Sequence, residues 1–182
     1  MNSLVLVLVG AVTCVAQPVP AGMKVGLSMY LQAGYGGLKS ELSEAADMMP
    51  ESDYGFRPGA ATEMRTFGQL FAHVAESQFG TCASLQSMPN PVAGKNLERD
   101  LKTKAEFVKA LADSFALCDA AFSTLTDTNA LEYVTVGQGK VVKSAVLTGI
   151  LAHNSEMYGI ATVYLRARNL VPPSTKRQTQ GR

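Results

Sequence analysis
The sequence predicts an all-α protein, a four-helix bundle. Three observations point there. Apolar residues recur at intervals of three and four in four separate stretches. Two of those stretches open on a threonine followed three residues later by Gln or Glu, the pattern of a capping box. Proline or an Asn-then-Pro sequence closes two of the others. No stretch shows the sustained alternation of a half-buried strand.

The first helix is read from Leu27, Leu31, Leu38, Leu42, Ala45 and Met49, with Tyr35 on the same stripe. Gly34, Gly36 and Gly37 each weaken it by about 1 kcal/mol relative to alanine. They leave room for a neighbour to come close. Pro50 ends this helix. A long irregular loop, PESDYGFRPGAATEMR, follows.

The second helix starts at Thr66, whose hydroxyl can accept the Gln69 backbone N–H. Phe67, Leu70, Phe71 and Val74 supply its apolar face, and the cluster SMPNPVAG ends it. The third helix repeats the device with Thr103 and Glu106. Its stripe is the clearest in the chain: Leu101, Val108, Leu111, Phe115, Cys118, Phe122 and Leu125. That spacing suits a bundle seam. Residues 127–140 are rich in turn formers, with TVGQGK a short extended piece. The fourth helix is read from about Lys140 to Arg168, with Val142, Val146, Gly149, His153, Met157, Ile160 and Tyr164 on one face. Asn169 then suits a left-handed cap, and Pro172 and Pro173 forbid continuation.

At 182 residues the chain can bury a sizeable core in one domain. Apolar residues make up 47%, charged residues 17%, and the net charge is +1. A nucleic-acid binder would carry a strong basic excess, so none is expected as a partner. Residues 1–21 read as a signal peptide or N-terminal apolar segment. Their run SLVLVLVGAVTCVA is too short for a comfortable membrane span, and Ala16 or Ala21 suits the cleavage position. The expectation is export, periplasmic or secreted, with no stable span once the signal is removed. A retained anchor ranks behind it. The bundle is assigned to 22–175, and 176–182 reads as a disordered tail. Cys82 and Cys118 read first as small buried hydrophobes. An oxidising compartment would permit a disulfide between them.

The chain has two histidines, His73 and His153, each within an amphipathic helix. Each is followed three residues later by glutamate, Glu76 and Glu156, so each pair sits on neighbouring positions of its helix. Facing helices that offer imidazole and carboxylate can build a metal site in a bundle. A packed, hydrogen-bonded histidine is the commoner use of such a residue. A glycine-rich phosphate loop, a Cys-x-x-Cys pair and a nucleophile elbow are all missing from the sequence.

Four segments carry a resemblance: MMPESDYGFRP, RTFGQLFAHVAESQFGTC, TKAEFVKALADSFALCDAAF and ILAHNSEMYGIATVYLRARNLVPPS. Together they make residues 24–175 resemble the DinB-like proteins, metal-dependent four-helix bundles, and in particular their exported members. The resemblance implies a divalent metal, nickel or zinc, held by three histidines. One falls on His73 and one on His153. The third position, four residues further on, is Met157. A thioether is a poor ligand for zinc or nickel(II) and suits copper(I) better, so copper ranks behind both.

Three outcomes follow: an empty site, a site completed by Glu76 or Glu156, or Met157 on a softer metal. The implied activity is that of a metal-dependent transferase or hydrolase, with Glu76 or Glu156 completing the site or serving as general base. The catalytic residues and the small-molecule ligand stay unknown. The alternative is a non-catalytic, stress-associated binding bundle with an empty site, able to act as a homodimer.

Overall fold
A computed structural model describes residues 24–180, and the apolar segment read as a signal lies outside them. Four long helices dominate: α1 (Leu27–Met48), α2 (Phe67–Leu85), α4 (Lys104–Ser123) and α5 (Lys143–Ala167). Two short helices, α3 (Leu97–Asp100) and α6 (Pro173–Gln180), and a hairpin of β1 (Tyr133–Val136) and β2 (Gly139–Val142) complete the fold. Helix α2 packs on α4 and α5, and α1 packs on the same two helices from the opposite side. The long helices therefore run around the bundle in the order α1, α4, α2, α5. The chain crosses the bundle diagonally between α1 and α2, which is why the connection at 49–66 is long.

Both expected capping boxes form. Thr66 accepts from the Gln69 N–H and Thr103 from the Glu106 N–H, and each partner side chain reaches back to the cap. Each box satisfies N–H groups that have no partner inside the helix. At the end of α5, Asn169 takes φ 58°, and the Leu170 N–H reaches back to the Leu165 carbonyl. This is the left-handed cap the sequence calls for.

The core is one cluster running through all four long helices, with Phe67, Phe71, Phe115 and Phe122 among its largest fully buried side chains. The expected α4 stripe is buried from Leu111 to Leu125, while Leu101 and Val108 are only partly covered. Leu27, placed on the α1 stripe, is 44% exposed, because the core begins one turn later at Leu31. Of the three glycines in α1, Gly34 alone meets a close neighbour: a Cβ there would lie 2.8 Å from Leu151 Cδ2 of α5.

Four expectations need correction. First, residues 140–142 do not open the fourth helix. They pair with 133–135 across a two-residue turn, where Gly137 takes φ 59°, a conformation that glycine adopts without strain. Second, the buried face of α5 is Leu147, Ile150, Asn154, Met157, Tyr158, Ala161, Tyr164 and Leu165. It is rotated from the expected stripe, so Val146, Gly149 and His153 lie at its rim. Third, residues 176–180 are helical rather than structureless. They belong to α6, where Arg177 reaches Glu44 at 2.8 Å and Glu41 at 3.4 Å on α1. Fourth, Cys82 and Cys118 are not separate apolar fillers: they form a disulfide joining α2 to α4, with Cα atoms 5.2 Å apart.

Candidate metal centre
His73 sits in the second turn of α2 and His153 near the middle of α5. The contact between those helices sets their ring centres 5.1 Å apart, with planes inclined by 55°. Both rings are half-buried, at the rim of the core. Burial and then the neighbouring His73 hold the His153 imidazole below its usual pKa. Glu156 pulls the other way, and Arg65 adds to the depression. A depressed pKa favours the neutral imidazole, the form that carries a lone pair for a metal or a proton.

The three candidates for a third ligand stand in different surroundings. Met157 is 5% exposed and belongs to the hydrophobic core. Glu76 Oε2 accepts the Leu97 N–H at 3.1 Å, at the start of α3. Glu156 is exposed on the outer side of α5. Among the described residues, no three His, Cys, Asp or Glu side chains form a ligand cluster.

Sequence reasoning missed two residues at this centre. Glu98 of α3 places Oε1 2.8 Å from His73 Nδ1. Arg65, just before α2, donates from Nε to Glu98 Oε2 at 2.9 Å, and its Nη2 lies 3.1 Å from His73 Nδ1. Tyr164 of α5 anchors Arg65 by donating to its carbonyl at 2.8 Å. No local signal marks Glu98 as a partner, since it lies 25 residues beyond His73 in a four-residue helix. The Thr66–Gln69 box held an indirect clue: Gln69 also donates to the Glu98 carbonyl at 3.1 Å.

The sequence model of the DinB superfamily matches residues 38–158, which include α2, α4, the hairpin and both histidines. The chain belongs to the DinB superfamily. The fold agrees with that placement. A DinB-like protein from Bacillus cereus superposes with a TM-score of 0.63 at 14% identity, covering 79% of this chain and 93% of that one. A conserved protein from Enterococcus faecalis gives the same TM-score at 12% identity, covering 79% and 98%. At such identities the likeness is one of fold. No curated protein matches the sequence.

The donor set of this DinB-superfamily chain fits a metal in part. Two imidazoles on one tetrahedral ion place their ring centres about 5 Å apart, as here. The same separation is ordinary for packed rings. A groove of about 370 Å³ reaches His153 between α2, the hairpin and α5. Its walls are mainly aliphatic, with Val136, Val141, Val146 and Ile150 joined by Ser77 and Thr81.

Proposed function
We propose that this DinB-superfamily protein binds a divalent metal, nickel or zinc, through His73 and His153, with an altered third position. The observation that carries the reading is the approach of two imidazoles from different helices. Buried Met157 and engaged Glu76 leave Glu156 or solvent to complete the coordination. A bound divalent ion supplies Lewis acidity to a water or thiol, the chemistry of a transferase or hydrolase. The protein's own part is to hold two imidazoles side by side, His153 at the edge of an apolar groove, with Glu156 as the candidate general base. The Cys82–Cys118 disulfide supports export to an oxidising compartment, as the apolar N-terminal run does.

Elemental analysis after mild dialysis against nickel or zinc tests the reading. About one equivalent per chain is expected, and His73→Ala should abolish it. Full occupancy in that variant would remove His73 from the ligand set.

The groove favours a second reading, a non-catalytic bundle that binds an uncharged apolar ligand beside His153. A metal-free protein whose stability is indifferent to chelator would decide for it. Gly149 lines the groove, and a Cβ there meets nothing within 4 Å. Gly149→Leu should therefore block binding of an apolar fluorescent probe without disturbing the core.

A further inference from the structure
Glu98 is held from three directions. Gln69 Nε2 donates to its carbonyl at 3.1 Å, and Glu76 Oε2 accepts the adjacent Leu97 N–H at 3.1 Å. Arg65 Nε grips its Oε2 at 2.9 Å. Gln69 and Glu76 flank His73 on α2, one turn before it and one turn after. They fasten α3 along the histidine's own side, and the remaining oxygen, Oε1, is delivered to Nδ1 at 2.8 Å. Glu76, read from the sequence as a candidate ligand, serves here to seat the residue that touches the imidazole.

Two neighbours of Nδ1 make opposite demands. A carboxylate only accepts, so Glu98 requires a proton on Nδ1. A guanidinium only donates, so Arg65 Nη2 would require a lone pair there. Glu98 is the closer partner, and Arg65 already spends its Nε hydrogen on the same carboxylate. With the proton on Nδ1, the Nε2 lone pair of the neutral ring is free. With the opposite tautomer, Nε2 carries hydrogen and can bind no metal.

We infer that Glu98 is a positioning residue: it fixes the proton of His73 on Nδ1 and leaves Nε2 as the ligand or base atom, with Arg65 holding the carboxylate in place. The consequence for metal rests on the reading given above, whereas the tautomer itself does not. A carboxylate behind a ligating imidazole typically contributes 10–100-fold in metal affinity.

The test is side-chain ¹⁵N NMR on the metal-free protein at about pH 8, where an ordinary imidazole is neutral. The chain has two histidines, so His153→Gln assigns the signals. The wild-type protein should show His73 protonated on Nδ1. Glu98→Gln can donate its amide N–H to Nδ1 and should move the proton to Nε2, with zinc affinity by calorimetry falling about 10–100-fold. Glu98→Asp should keep the Nδ1 proton. Wild-type His73 protonated on Nε2, or a Glu98→Gln protein that keeps the Nδ1 proton, would overturn the inference. If Glu98→Gln does not fold, the wild-type tautomer alone decides. Failure of the wild-type protein to bind zinc would count against the metal reading and leave the tautomer result standing.

Discussion

Met157 and His153 lie one turn apart on α5, yet only His153 reaches the rim. The cause is the rotation of the buried face, which turns 157 inward against the core while 153 stays beside His73. Met157→His would therefore place an imidazole in an apolar setting. Without metal it should lower stability by about 1–3 kcal/mol, the cost of an unpaired buried polar group. If the ring turns toward the pair, it should raise zinc affinity at least tenfold. Calorimetry with zinc, together with urea unfolding of the metal-free protein, reads both effects. Unchanged zinc affinity together with the stability loss would show that the ring stays in the core. Polar groups inside this core are few: Gln78, Ser114 and Asn154. Gln78 links the other two, donating to Asn154 Oδ1 at 3.2 Å and lying 3.2 Å from Ser114 Oγ. Asn154 Nδ2 has no hydrogen-bond partner among the described residues.

Element packing explains a glycine that the periodic pattern does not. Gly68 opens α2 where the Phe107 ring of α4 crosses it, and a Cβ there would lie 2.6 Å from that ring. The ring is buried, so it has little room to yield. Gly68→Ala should destabilise the protein by about 1–3 kcal/mol, despite alanine's better helix propensity. A neutral or stabilising result in chemical denaturation would show that α4 can shift. The capping boxes make a contrasting case, since their effect is local. Thr103→Ala should cost about 1 kcal/mol through the start of α4 alone, leaving ligand binding at the α2–α5 centre unchanged. Helix α3 is an element that its neighbours define: four residues cannot hold a helix unaided, and Gln69, Glu76 and Arg65 pin it.

Across the whole molecule, the disulfide ties helices that already pack on one another. It closes a loop with a sequence separation of 36, and in the chain-entropy account that contributes about 3–4 kcal/mol. Reductant should lower the urea midpoint by a corresponding amount, and the double variant Cys82→Ala/Cys118→Ala should be insensitive to it. A wild-type midpoint that ignores full reduction would sink this account. At the other end of the chain, Arg177 fastens α6 to Glu41 and Glu44 of α1. The contact is solvent-accessible, so Arg177→Ala should cost under about 1 kcal/mol. Among the described residues, no helix is long and apolar enough to cross a membrane.

Local sequence accounts for the long helices, both capping boxes, the Asn169 cap and most of the α4 seam, because each depends on residues within one or two turns. It also marked His73 and His153, the only histidines in the chain. Tertiary structure decided the rest. The rotation of α5, the Cys82–Cys118 link and the closeness of the two imidazoles all come from contacts between distant segments. Glu98 is the sharpest case. It has no periodic neighbour and no motif, and it gains a role only when α2 fastens α3 beside His73. A local pattern records which face a side chain shares; which distant group meets that face is set by how the helices pack.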